Sequence, residues 1–360
     1  MAANDPLRFL RADFADLEAY TPVKPLDVLA REIGVPVDRL VKLDANENLY
    51  GPHPALRDAI ANADLHIYPD PGQLALREAI AEYLDVTPEM VVAGSGADDL
   101  IDIIIRLVLP EAIVVTPPTF GMYGFLAKLT GARTIEAPLD ADFRPDLCEI
   151  ARAVNDGAKV VFLTSPNNPT GTIVDEADVR TLCALDALIV IDEAYAEFSR
   201  TSVVSLVAEY PNLIVLRTFS KWAAIAGLRC GYAITDPRLA ERMMAIKQPY
   251  NVNIAADVAA RAALEHRAEI SESVRSLVAE RERMVALVSA LGWLEPVPSQ
   301  ANFVLFRVAE GRQAHEVAAS LRGRGVLVRY YDRPELRGYI RISAGRPEDT
   351  DRLLDALKEL

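Results

Sequence analysis

The sequence predicts an α/β protein: a large domain built on a mostly parallel sheet covered by helices, and a smaller α+β domain. Three observations lead there. Runs of Val, Ile and Leu recur at Ala112–Val115, Lys159–Thr164, Ala187–Ile191 and Leu213–Leu216. Such unbroken apolar runs suit strands buried on both faces, as in a parallel sheet with helices on either side. Helical periodicity fills the stretches between them. The length, 360 residues, exceeds the ~100–200 of a usual single domain.

In chain order, Pro71–Leu84 predicts an amphipathic helix with Leu74, Leu76, Ala79, Ile80 and Tyr83 on its apolar face. Asp98–Leu109 predicts a second helix and Asp175–Leu185 a third. From about 254 to 289 the pattern is long and helical. Asn302–Arg307, Val326–Tyr330 and Tyr339–Ser343 predict strands, His315–Arg322 a helix between the first two, and Asp349–Leu360 a closing helix. The expected division is a large domain over 44–250, with 1–43 and 251–360 forming the smaller one and an N-terminal arm.

Composition bounds the function. Lysine and arginine total 38 against 52 acids, a net charge of −14. No basic footprint for nucleic acid or an anionic membrane is present. The three cysteines, Cys148, Cys183 and Cys230, fit neither a disulfide framework nor a zinc site, and are expected to be buried small hydrophobes in a reducing compartment. The first twenty residues carry early acids and no continuous apolar core, unlike a signal peptide. The longest apolar stretch, Ile101–Val115, is broken by Asp102, Arg106, Pro110 and Glu111, so no membrane span is expected. The expectation is a cytoplasmic protein.

In open α/β sheets, ligands bind outside the carboxyl ends of the strands. The run at 187–191 leads into Asp192, Glu193, Ala194 and Tyr195; the run at 213–216 leads into Arg217, Thr218, Phe219, Ser220 and Lys221. Ser165–Gly171 is a turn dense in Asn and Pro, and Gly94, Ser95 and Gly96 precede the Asp98 helix. Taken singly, Lys221 reads as a solvated lysine, Asp192 as a helix cap and Arg229 as an ion-pair partner. Taken together, these residues suit one task, holding a phosphorylated pyridine aldehyde. A lysine takes the aldehyde, an acid partners the pyridinium nitrogen, and a helix N-terminus, hydroxyls and an arginine hold the phosphate.

SPNNPTG (165–171), IDEAY (191–195), TFSK (218–221) and GLRCG (227–231), in this order and spacing, resemble the fold type I pyridoxal-phosphate aminotransferases. LDANENLYGP (43–52), YPDPGQLALREAIAEYL (68–84), GSGADDLIDIII (94–105), PPTFGMY (117–123), KQPYNVN (247–253), ANFVLFR (301–307) and YIRISAG (339–345) extend the likeness to the histidinol-phosphate branch of that family. The resemblance runs from about Leu43 to the C-terminus. It implies pyridoxal 5'-phosphate as cofactor and a glutamate/2-oxoglutarate pair as co-substrates, in ping-pong transamination. Aromatic amino acid aminotransferases share most of these motifs, and threonine-phosphate decarboxylases use a similar scaffold. A non-catalytic regulatory module that binds the cofactor is the reading from another class; the acidic chain has no helix-turn-helix segment to support it.

The same resemblance assigns roles. Lys221 falls at the Schiff-base lysine, and a neutral amine there needs a shifted environment, to which Arg229 is expected to contribute. Asp192 falls at the pyridine-nitrogen acid, and Tyr195 and Asn168 at the partners of the ring phenolate. Gly96, Ala97 and Asp98 fall at the helix start that meets the phosphate, with Thr218, Ser220 and Arg229. Phe120 takes the ring-stacking position. Arg341 falls at the arginine that forks onto a substrate carboxylate, and Arg341, Arg329, Tyr20 and Tyr250 are the candidates for a substrate phosphate, with Asn46 on the substrate side. Tyr50, or Tyr68 in its place, resembles the residue lent to the neighbouring subunit's cofactor, which implies a homodimer. The four histidines, His53, His66, His266 and His315, form no metal-ligand pattern.

Overall fold

The computed structural model describes residues 5–14 and 24–360. In chain order the strands are β1 (Val41–Lys42), β2 (Val91–Gly94), β3 (Ala112–Val115), β4 (Arg133–Glu136), β5 (Val160–Thr164), β6 (Leu188–Asp192), β7 (Leu213–Thr218), β8 (Gly231–Thr235), β9 (Leu294–Pro296), β10 (Phe303–Val308), β11 (Val326–Leu327), β12 (Arg329–Tyr330) and β13 (Tyr339–Ser343). Among the described residues they form a seven-stranded sheet ordered β2-β8-β7-β6-β5-β3-β4, a four-stranded sheet ordered β12-β13-β10-β9, and the pair β1-β11.

The large sheet is parallel from β7 to β4 and antiparallel on both sides of β8. The chain turns straight back from β7 through Phe219–Cys230 into β8, whereas helices carry the crossovers elsewhere. Successive strand residues alternate between two cores. Val161, Leu163, Ile189, Ile191, Leu213 and Val215 face one. Val160, Phe162, Val190, Ile214 and Leu216 face the other. This double burial is why these strands read as unbroken apolar runs.

Register places the site. Thr164 pairs with Asp192 across β5 and β6. Thr218 pairs with Gly231, which also pairs with Gly94. The carboxyl ends of β5, β6 and β7 therefore open side by side, next to the start of the helix Ala97–Val108.

In the smaller sheet Arg341 pairs with Leu305 on one side and Arg329 on the other. The parallel pairing of Val41 with Val326, and the bond from Ser343 N–H to Leu43 C=O, lead Asp44, Ala45 and Asn46 from this layer over the large sheet.

The expected elements recur with shifts at their ends. The pattern at 254–289 is two helices, Ile254–Glu265 and Arg267–Ser289, separated at His266, whose φ of −97° and ψ of 24° leave the helical region. The single strand expected at 326–330 is two short strands in different sheets. The expected boundary at 250 precedes a helix, Ile254–Glu265, whose Ala256, Ala259, Ala260 and Ala263 pack into the core of the large sheet. Cys183 and Cys230 are buried, but Cys148 is exposed on the first turn of the helix Leu147–Asn155, which corrects the expectation for that residue.

Candidate active site

The strand ends and the Asp44–Asn46 segment enclose a cavity of about 420 Å³. Thirteen of the expected residues line it: Asn46, Ala97, Asp98, Phe120, Asn168, Asp192, Tyr195, Thr218, Ser220, Lys221, Arg229, Arg329 and Arg341. Gly96 sits just outside as the N-cap of the helix beginning at Ala97, with a left-handed φ of 84°.

Lys221 follows the turn after β7, and its Nζ donates to the Ala45 carbonyl at 3.2 Å. Burial, then the charge of Arg341, pulls its amine down to about 8, with Arg229 contributing least. Arg341, not Arg229, is therefore the main cationic influence.

Asp192 ends β6, buried. Its Oδ2 accepts from Tyr123 Oη at 2.7 Å and its Oδ1 from the Ala194 N–H at 3.1 Å. Burial pushes this carboxyl up to about 6. An acid so placed is stabilised as an anion by a cation in the cavity.

Tyr195, beyond the same strand, accepts a bond from Asn46 Nδ2 at 2.9 Å, and burial pushes its phenol up to about 12. Asn46 is fixed by Ser343, whose Oγ donates to its Oδ1 at 2.8 Å, and by Asn302, whose Nδ2 donates to its carbonyl at 3.0 Å. Its φ of 55° is one that asparagine tolerates better than most residues.

At the opposite end, Arg229 lies against the start of the Ala97 helix and pairs with Asp98 at 3.1 Å. A Cβ on Gly96 would stand 2.5 Å from Arg229 Nη2, and one on Gly231 would stand 2.8 Å from Ala97 N. Glycine at both positions lets the helix start, the arginine and strand β8 converge. Thr218 and Ser220 are joined by a 2.9 Å hydroxyl contact beside them. Helix N–H groups, two hydroxyls and a guanidinium around one end are the donor set of a phosphate cradle.

The third wall is cationic. Arg341 donates to Asn168 Oδ1 at 2.6 Å and to the Asp44 carbonyl at 2.5 Å, while its buried Nε has no hydrogen-bond partner among the described residues. Arg329 lies over the Tyr331 ring at 5.4 Å. Arg333 also lines the cavity; its side chain, like that of Arg329, has no hydrogen bond or ion pair among the described residues.

Sequence reasoning missed Tyr123, Tyr331, Arg333 and Leu336. Tyr123 had a signal, since it ends the PPTFGMY segment that supplies Phe120. The others belong to an irregular loop between β12 and β13, where periodicity is silent.

Some expected residues lie elsewhere. Tyr250 does not line the cavity of its own chain; it is half exposed and stacks on the exposed Tyr68 at a ring separation of 4.5 Å. Tyr50 is also exposed and outside the cavity. Tyr20 lies outside the described residues. No group of His, Cys, Asp and Glu among the described residues makes a metal site.

A lysine amine, a buried acid, an aromatic ring and a phosphate cradle in one cavity fit pyridoxal 5'-phosphate. The family model for aminotransferase class I and II matches residues 38–357. The histidinol-phosphate aminotransferase of Roseiflexus castenholzii is 49% identical, with 98% of each chain covered. Histidinol-phosphate aminotransferase 1, chloroplastic, of Arabidopsis thaliana is 44% identical over 98% of this chain and 85% of its own. The crystal structure of histidinol-phosphate aminotransferase from Sinorhizobium meliloti in complex with pyridoxal-5'-phosphate superposes with a TM-score of 0.89 at 29% identity, covering 98% of this chain and 97% of that one. An L-threonine-O-3-phosphate decarboxylase from Porphyromonas gingivalis, at 22% identity and a TM-score of 0.78 over 89% of this chain and 99% of its own, shares the fold.

Proposed function

The chain belongs to the class I and II aminotransferases, and from that premise we propose how its residues perform pyridoxal-phosphate-dependent transamination between histidinol phosphate and 2-oxoglutarate. When bound, the cofactor supplies an aldehyde that takes up the amino group and a protonated pyridine ring that delocalises the electron pair left on the substrate carbon.

Each residue then has a task. Asp192 is the anion that keeps the ring nitrogen protonated. Tyr195 and Asn168 would bond the ring oxygen, and Phe120 would cover a ring face. Ala97, Asp98, Thr218, Ser220 and Arg229 would hold the phosphate. Lys221, its amine drawn down to about 8, would take the proton from the substrate carbon and return one to the cofactor's aldehyde carbon, on the far side of the nitrogen that joins them.

The observation that carries the substrate reading is the pairing of Arg329 with Arg341 across β12 and β13, both on the cavity wall. Like charges on directly opposed residues destabilise a sheet, and an anionic substrate group between them offsets that cost. Glutamate presents a carboxylate to this wall and histidinol phosphate a phosphate. The substrate names of the relatives agree with this reading.

The test is a half-reaction. L-histidinol phosphate is added to the cofactor-loaded protein and the cofactor absorbance followed, with phenylalanine in parallel. Faster conversion by histidinol phosphate is expected; faster conversion by phenylalanine overturns the substrate assignment and makes the wall an aromatic pocket.

The working unit is a homodimer in the cytoplasm. Leu65, Ile67, Tyr68 and Tyr250 are exposed together near the Tyr68–Tyr250 stack, an apolar group that a second copy covers. Tyr68, 77% exposed against 41% for Tyr50, is the better placed to reach a neighbour's cofactor. Sedimentation at micromolar concentration tests the dimer. Recovered activity on mixing inactive Lys221→Ala and Tyr68→Ala chains tests the shared site. No helix among the described residues is long and apolar enough to cross a membrane, and cell fractionation checks the compartment.

A further inference from the structure

Asp192 is held from behind by a group that the reaction does not consume. Tyr123 Oη stands 2.7 Å from Asp192 Oδ2 and 2.8 Å from Thr164 Oγ1. Its ring is fully buried, stacked on Phe162 at 4.9 Å and meeting the edge of Phe120 at 5.6 Å. That packing holds the hydroxyl against these two oxygens. Thr164 and Asp192 are register partners on β5 and β6, so Tyr123 spans two adjacent strand ends.

The proton directions follow from counting donors. An ionised carboxylate only accepts, so Tyr123 spends its one proton on Asp192. Its oxygen then accepts from Thr164. Thr164 Oγ1 also lies 3.3 Å from Thr119 Oγ1, whose own proton goes to Asn167 Oδ1 at 3.1 Å, and the shorter 2.8 Å contact directs the Thr164 proton to Tyr123. The Asn167 amide is oriented by its Nδ2 bonds to the Pro118 carbonyl and Thr170 Oγ1, each 2.9 Å.

We propose that Tyr123 is a positioning residue that keeps Asp192 ionised and aimed at the cofactor ring nitrogen, through a one-way relay from Thr164 to Tyr123 to Asp192. The proposal rests on the pyridoxal-phosphate reading of the cavity. A donor on the carboxylate opposes the burial that favours its neutral form, and a donor whose own oxygen accepts a bond is strengthened by it. Tyr123 also buttresses Phe120, so one side chain sets both the acid and the ring that covers the cofactor. A tyrosine serving only to satisfy a buried polar group would leave the cofactor's protonation alone.

The test uses full-length protein reconstituted with pyridoxal 5'-phosphate carrying nitrogen-15 in the ring, as wild type, Tyr123→Phe and Thr164→Val. The ring-nitrogen chemical shift is followed against pH, and cofactor affinity is read from the protein's fluorescence. In Tyr123→Phe the ring nitrogen is expected to lose its proton about one to two pH units lower, the worth of one hydrogen bond to a charged group. Thr164→Val is expected to shift it the same way by less. An unchanged titration in Tyr123→Phe overturns the proposal. Where that variant does not fold, an unchanged titration in Thr164→Val does so. A wild type that binds no cofactor overturns the underlying reading instead, which the fluorescence titration shows separately.

Discussion

Arg341 Nη1 donates to the Asn168 side-chain oxygen at 2.6 Å, so the guanidinium assigned to substrate and the amide assigned to the cofactor ring are one hydrogen-bonded unit. Arg341→Lys loses the fork and is expected to raise KM for both substrates, lowering kcat/KM about tenfold to a hundredfold. Asn168→Ala is expected to share part of that loss. Kinetics on both single variants and the double variant check it: strictly additive losses would show that the two groups act apart.

Lys221 gives a pH dependence of defined sign. Its amine titrates at about 8 in the folded protein, against its usual 10.5. Between those values the unfolded chain holds the extra proton, so this group makes the cofactor-free protein more stable as pH rises through that window. Below it, both states carry the charge and the penalty of burying it is full. Urea midpoints of wild type and Lys221→Met are expected to converge on going from neutral pH towards 10.5. A constant gap contradicts the shifted amine. Arg341→Gln is expected to move the transition upward, because the Arg341 charge helps depress the lysine.

The glycines of the phosphate cradle differ in what they meet. A Cβ at Gly96 approaches the flexible end of Arg229, whereas one at Gly231 approaches the backbone at Ala97 N and Gly96 C. Gly96→Ala is expected to push Arg229 aside and weaken cofactor binding about tenfold, with about 1–3 kcal/mol of strain, because its φ of 84° with ψ of 171° is a conformation only glycine adopts readily. Gly231→Ala moves the helix start itself and is expected to weaken binding further and lower the melting temperature. Cofactor affinity unchanged from wild type in both variants would place the phosphate elsewhere.

Beneath the strand ends, Arg217 pairs with Glu193 at 2.8 Å and Glu197 at 2.9 Å; Arg217 and Glu193 are buried and Glu197 is mostly so. Arg217→Met leaves two acids without their cation and is expected to cost about 3–5 kcal/mol of stability. Adding Glu193→Gln and Glu197→Gln is expected to recover part of it. Denaturant unfolding checks both, and a cost under about 1 kcal/mol would mean that the acids are neutral in the fold.

Arg333, at the cavity mouth, is expected to assist anionic substrates without touching the chemistry. Arg333→Ala should raise KM for histidinol phosphate about twofold to fivefold at low salt, with the effect fading as salt is added. An equal rise with phenylalanine, or no salt dependence, argues against that role.

The sequence alone determined the doubly buried strands, because a parallel sheet covered on both faces writes itself as unbroken Val, Ile and Leu. It also placed Asp192, Tyr195, Thr218, Ser220 and Lys221 at strand ends, since in such sheets the residues after an apolar run face the ligand. The brief strands β1, β11 and β12 were not separable in it, because two residues carry no periodicity. Nor did it show that Tyr250 lies outside its own cavity in a stack with Tyr68, that Cys148 is exposed, or that burial, and then Arg341 ahead of Arg229, lowers the lysine. Those facts depend on distances between segments far apart in the chain. Only the tertiary structure decided them, because the electrostatics and hydrogen bonding of a buried site act through space, and the local pattern of a sequence records only which face of an element is covered.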